Sequence, residues 1–251
     1  PKSSATFTAD EKHALDILSN IGFFKLPQIL SFEQIEEINK YLKNKKIFER
    51  YDKEKKYFTL ENIPYYAHTG SYDESVLIKC PHIVSSANNP LVIKLVEGFL
   101  GAKPTLSNIT LWHSFAKDGK PRNAEFYHRD VDDLKFVKVF IYLTDVGFEN
   151  GPHVYIDESS KLNEFLNIKR YTDDEIEGFF SPEKIRKITG CIGDAFIEDT
   201  YGLHKGMPVE KGVRTVLQFE YSLLPIGSKK YNLKFDSNDL DVNSYINRMY
   251  L

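Results

Sequence analysis

Cysteine is scarce in this chain. Two residues, Cys80 and Cys191, among 251 cannot build a disulfide framework, and the absence of CxxC spacing removes a zinc ribbon or a redox pair; a reducing, cytosolic setting is expected. Long apolar runs are missing too. None approaches the roughly 20 residues that a membrane-spanning helix needs, and the opening PKSSATFTADEKH has no apolar signal core. Charge of one sign is also lacking: 33 Lys and Arg stand against 36 Asp and Glu, a net charge of −3, with both signs scattered along the chain. Without a basic stripe or an acidic tail, neither nucleic acid nor a membrane surface is an expected partner. There is no internal repeat and no low-complexity linker.

Aromatic residues are abundant, 15 Tyr and 18 Phe, within a 41% hydrophobic content, enough for a large core in a single domain spanning 1–251. The first part, about 1–104, is punctuated as helices. SFEQIEEINKYL offers Ser31 as N-cap and Gln34 as its capping-box partner, with Ile35, Ile38 and Leu42 on one face. NNPLVIKLVEGFLG has Asn89 as cap, Pro90 in the first turn and Gly101 as the stop. A weaker helix covers about 9–19. From about 105 to 225 the pattern changes to alternating, β-branched and aromatic runs: LSNITLWHSF, FVKVFIYL, PHVYI, CIGDAFIED and VRTVLQFEYSLL. Turn-rich segments join them rather than regularly spaced helices. The expected fold is therefore mainly β with flanking helices, an antiparallel barrel or double sheet. A helical insertion is expected over about 158–188, where Thr172 and Glu175 form another capping box.

The chemistry-bearing stretch is FYHRDVDD, residues 126–133, at the lip of the FVKVFIYL strand. HRD also begins the catalytic loop of protein kinases, but that pattern needs Asn at 135, where this chain has Lys135, and neither a glycine-rich loop nor DFG accompanies it. In an extended strand, His128 and Asp130 project from the same face and can share one metal ion. A third ligand is offered by His204 in DTYGLHKG. Two imidazoles and one carboxylate, with open positions opposite, form the facial triad of non-haem iron(II) oxygenases. Ten residues later, Arg214 opens the VRTVLQF strand, and its planar fork suits the far carboxylate of a dicarboxylate.

The series HRD, IYLTDVGFENGPHVYIDESSK, GDAFIEDTYGLHKG and GVRTVLQFEYS, with the N-terminal IGFFKLPQILSFEQIEEI, resembles the phytanoyl-CoA dioxygenase family of iron(II)- and 2-oxoglutarate-dependent oxygenases. The resemblance covers most of the chain and is weakest at 45–80 and 158–188. It implies a double-stranded β-helix (a jelly-roll, cupin-like core) with Fe(II) held at its mouth by His128, Asp130 and His204. It further implies 2-oxoglutarate anchored by Arg214, with His113 and Phe140 lining the cosubstrate pocket. The implied reaction consumes O₂, releases succinate and CO₂, and hydroxylates a small-molecule or carrier-linked substrate. Ser160 stands where the family usually has a histidine, a departure that bears on substrate shape.

Three other readings use the same residues: a zinc hydrolase, a cupin-like isomerase, or a catalytically silent binding module. For His113 and His153 the plain alternative is a hydrogen-bonded core histidine. Asp132 and Asp133 read as a solvated turn, with Arg129 and Asp132 as alternatives facing substrate. Segments 47–75 and 158–188, long and aromatic, are expected to form a mobile wall over the metal. No pattern specifies an oligomer.

Overall fold

A computed structural model describes residues 6–117, 120–235 and 242–251. Six helices are present among them: α1 (Ala9–Ile21), α2 (Phe32–Leu42), α3 (Glu74–Leu77), α4 (Ile83–Ala87), α5 (Pro90–Leu100) and α6 (Asp173–Glu177). The strands are β1 (Phe23–Leu26), β2 (Ile47–Phe48), β3 (Tyr57–Phe58), β4 (Thr69–Ser71), β5 (Thr105–Phe115) and β6 (Phe136–Tyr142), followed by β7 (His153–Ile156), β8 (Ile185–Ile188), β9 (Ala195–Glu198), β10 (His204–Gly206) and β11 (Val213–Ser222). Each of the five strand-like runs in the sequence contains one of these strands.

Local chemistry sets the helix ends. The Ser31 hydroxyl accepts from the Gln34 amide while the Gln34 side chain accepts from the Ser31 amide, and Ile35, Ile38 and Leu42 are buried. Asn89 caps α5, and Gly101 ends it in the left-handed region at φ 75°, where a side chain would be strained. No described helix is long and apolar enough to cross a membrane.

All strand pairs are antiparallel. The larger sheet runs β1-β9-β6-β11-β5-β4-β2-β3, and a smaller one runs β10-β7-β8. A bridge between His128 and His204 extends the smaller sheet. Period-two alternation divides the large sheet. Val137, Val139 and Ile141 of β6, with Leu217, Phe219 and Tyr221 of β11, join the core beneath α1, α2 and α5. Phe140, Tyr142, Phe196 and Val216 face the other way, into a second core between the sheets. This is the mainly β jelly roll with flanking helices that the sequence led us to expect.

Two expectations need correction. Region 1–104 is not simply helical: β1 completes one edge of the large sheet through β9, and β2 to β4 extend the other beyond β5. These strands of two to four residues are too short to carry a periodic signal, and exist because an adjacent sheet edge pairs their backbones. Segment 158–188 holds only one short α-helix, α6, and ends in β8 paired to β7. Three of its four aromatic residues, Phe165, Tyr171 and Phe180, gather with Tyr127 and Ile176 in a small third core, so they form no stripe at helical spacing, and Pro182 bars any continuation of α6 toward β8.

Candidate metal and cosubstrate site

His128 and His204 are directly opposed on neighbouring strands, each donating its backbone amide to the other's carbonyl at 3.0 Å. Their rings lie 4.2 Å apart. Nδ1 of His128 is 2.9 Å from the Phe126 carbonyl, and Nδ1 of His204 is 2.9 Å from the Gly202 carbonyl. A carbonyl only accepts, so both Nδ1 atoms carry a proton, and in the neutral ring Nε2 is the nitrogen left to ligate a metal. Asp130, placed by its amide bond to the Thr200 carbonyl at 2.9 Å, brings Oδ1 to 3.8 Å from Nε2 of His128 and Oδ2 to 3.4 Å from Nε2 of His204. One donor atom from each of the three residues falls within 4.8 Å of the others. That donor set fits a divalent transition metal with sites left open for exogenous ligands.

Lys138 lies behind the carboxylate. Its buried Nζ donates to Asp130 Oδ2 at 2.7 Å and Asp132 Oδ2 at 2.8 Å, with Glu220 3.8 Å away. Burial opposes ionisation of Asp130, but the charges of Lys138 and His204 outweigh it and hold the carboxyl well below its ordinary range. Burial likewise opposes charging of His204, and Asp130 reverses the balance, whereas burial and the His204 charge press His128 toward neutrality. Lys138 therefore engages Oδ2 and makes no bond to Oδ1. Asp132 is thus an ion-pair partner rather than part of a solvated turn.

Arg214, on β11, is buried at 5% exposure. Nη2 donates to Ser114 Oγ at 3.3 Å and Nη1 to the Met207 carbonyl at 3.5 Å, while Nε has no partner. No carboxylate lies within 4 Å among the described residues. A guanidinium buried without a carboxylate in contact is costly unless an anion arrives. Gly206 leaves room for it: a Cβ there would lie 2.7 Å from Nη2. Arg214, Phe140 and all three triad residues line one cavity of about 220 Å³. Phe140 stacks on Phe196 at 5.0 Å, giving that cavity a dry wall.

His113 does not line this cavity, contrary to expectation. It pairs with Thr215 on the opposite face of the sheet, where its ring nitrogens meet Thr215 Oγ1 at 2.8 Å and Tyr72 Oη at 3.1 Å. Its neighbours Trp112 and Ser114 take the cavity face. Burial pulls the His113 imidazole down to about 4, so it enters the fold neutral. From pH 6.5 downward the unfolded chain takes up a proton that the folded chain refuses until about pH 4. Wild-type stability should therefore fall across that window by roughly 3 kcal/mol more than that of His113→Gln. Denaturant unfolding at pH 7, 5.5 and 4 measures it; parallel curves would place His113 in a solvated setting.

Other side chains complete the surroundings of the site. His153 stacks on His204 at 5.6 Å, and its Nε2 meets Glu198 Oε1 at 3.0 Å. Burial pushes the Glu198 carboxyl up to about 8. A lysine inside the otherwise apolar run FVKVFIY was the legible clue to Lys138, because a buried ammonium demands carboxylates. Arg129 faces no substrate space. Its guanidinium donates to the carbonyls of Ser159, Glu164, Phe165 and Tyr201, stapling the 158–188 segment to the barrel.

No family model and no curated protein matches the chain. Solved structures do. The non-heme α-ketoglutarate-dependent carbocyclase SnoK from nogalamycin biosynthesis superposes with a TM-score of 0.62 at 16% identity, over 87% of this chain and 87% of that one. HygX from Streptomyces hygroscopicus, with nickel and 2-oxoglutarate bound, gives 0.61 at 16% identity over 98% and 100%. EctD from S. alaskensis, with 2-oxoglutarate and 5-hydroxyectoine, gives 0.60 at 16% identity over 88% and 80%. The likeness at these identities is one of fold.

Proposed function

We propose that this protein is an Fe(II)- and 2-oxoglutarate-dependent oxygenase, akin to the phytanoyl-CoA dioxygenase family, that hydroxylates a small-molecule or carrier-linked substrate. The observation that carries the reading is the pairing, in one cavity, of three converging metal donors with a buried guanidinium whose Nε has no partner and which has no carboxylate within 4 Å among the described residues. Nickel and 2-oxoglutarate bound in HygX, and 2-oxoglutarate in EctD, agree with it on a shared fold. When bound, iron and 2-oxoglutarate together supply an oxidant for a substrate C–H bond at the expense of O₂, with succinate and CO₂ leaving.

The protein's own residues bind, orient and exclude. His128 and His204 offer Nε2, and their Nδ1 protons, held by carbonyls, keep each ring in the ligating tautomer. Asp130 offers Oδ1 while Lys138 retains Oδ2, which favours single-oxygen ligation and keeps positions open. Arg214 would hold the far carboxylate of 2-oxoglutarate through the N–H groups of its guanidinium. Phe140, Phe196 and Val216 keep water from the reacting region. Hydrolysis or isomerisation on the same three donors would leave Arg214 without a purpose.

The test is succinate formation. Aerobic protein given Fe(II) and 2-oxoglutarate should release succinate and CO₂ in equal amounts, even slowly without substrate, and zinc in place of iron should abolish both. Succinate no higher than in a protein-free control, from protein shown to hold iron, would remove the oxygenase reading.

A further inference from the structure

The cavity carries more positive charge than the metal and cosubstrate chemistry uses. Five cationic side chains line it, Arg50, Arg122, Lys138, Arg170 and Arg214, against two carboxylates, Glu125 and Asp130. Lys138 is consumed by its bonds to Asp130 and Asp132. A divalent metal, Asp130 and Arg214 together balance a dianionic cosubstrate to within one charge. Arg122 and Glu125 offset one another, which leaves Arg50 and Arg170 in excess, in a chain whose net charge is −3. A uniform scatter of solvated surface charge would not concentrate the excess at one mouth.

Two of these arginines are placed to use it. Neither Arg50 nor Arg170 has a carboxylate partner among the described residues. Arg50 lies over the Trp112 ring at 4.7 Å and near Tyr51 at 6.0 Å, which holds its plane and leaves its N–H edges open. Arg170 lines the same cavity as Arg50, His128 and His204. They come from segments 47–75 and 158–188 respectively, outside the strands that build the metal site.

We propose that the primary substrate is an organic oxyanion, a small molecule whose carboxylate or phosphate is held by Arg50 and Arg170 at the cavity mouth while its remainder lies along Trp112 and Tyr51 toward the metal. This substrate class rests on the oxygenase reading above. It also gives the two irregular segments a shared task, since closing both over one anion would seal the cavity.

The experiment uses the full chain loaded with nickel, which is redox-silent, and 2-oxoglutarate, so that Arg214 is occupied. Phenyl phosphate, phenylacetate and neutral phenylacetamide are titrated calorimetrically at low salt. Each anion should bind at least about tenfold more tightly than the amide, the lower end for hydrogen bonds to charged groups. The double variant Arg50→Ala/Arg170→Ala should lose that advantage while still loading nickel and 2-oxoglutarate. Stronger binding of phenyl phosphate would assign a phosphate-bearing substrate, and stronger binding of phenylacetate a carboxylate. An amide that binds as well as the anions, or an anion advantage that survives the double variant, overturns the proposal. Failure of the wild type to load nickel and 2-oxoglutarate would overturn the oxygenase reading instead, and the same three probes on Arg214→Ala protein would still decide the arginine rim.

Discussion

Replacing His128, Asp130 or His204 by alanine, one at a time, is expected to lower ferrous-iron affinity by more than about 100-fold, since even groups that merely support metal ligands are worth roughly 10- to 100-fold. Each variant removes one of only three protein donors that converge within 4.8 Å. The fold should survive, because the large sheet and its helix-covered core do not include these residues. Anaerobic iron titration, with thermal unfolding of the metal-free proteins alongside, separates lost ligation from lost structure. The variants should also differ among themselves. Asp130→Ala leaves Lys138 with Asp132 at 2.8 Å and Glu220 at 3.8 Å, so its buried charge stays compensated, and metal-free stability should fall only modestly. Full iron occupancy in all three variants would place the metal elsewhere.

Arg214→Ala should weaken 2-oxoglutarate binding by roughly 30- to 4000-fold, the equivalent of about 2–5 kcal/mol for a buried charge pair, while iron affinity barely changes. Gly206→Ala should reproduce part of the loss, because its Cβ would crowd Nη2. The same arginine makes an opposite prediction for the empty protein. A guanidinium 5% exposed with an unpartnered Nε costs stability until an anion arrives, so Arg214→Met should raise the metal-free, cosubstrate-free unfolding free energy by about 1 kcal/mol or more. Added 2-oxoglutarate with nickel should stabilise the wild type and not the variant. Unchanged cosubstrate affinity in Arg214→Ala would transfer the anchor to another cation in the cavity.

Features resting on a few consecutive residues were the legible ones. A hydroxyl three residues before Gln34 or Glu175 satisfies amides that no other group reaches, so the capping boxes at Ser31 and Thr172 could be read directly. Alternation in FVKVFIY and VRTVLQFEY marked both runs as strands because successive side chains point oppositely, whereas Phe140 was singled out only by the family resemblance. The same rule was insufficient for His113. The run LWHSF alternates whichever way the strand is turned, and only the pairing of His113 with Thr215, in register with β11, sends it away from the cavity. A rotation by one residue would have exchanged it with Ser114.

Periodicity, capping and ligand chemistry act over a few residues or through side-chain type alone, so the chain's own order was enough to settle the element types of the core and the helix caps, and to single out His128, Asp130, His204 and Arg214 as candidates. Which groups meet was a matter of packing. The cross-strand bond that opposes His128 to His204, the Lys138 clamp on Asp130, the neutral His113 behind the sheet and the arginines gathered from 47–75 and 158–188 all join residues from separate elements. Their contacts depend on strand register and on which edges pair, and those are fixed by burying two faces of one sheet at once, a condition no single segment contains.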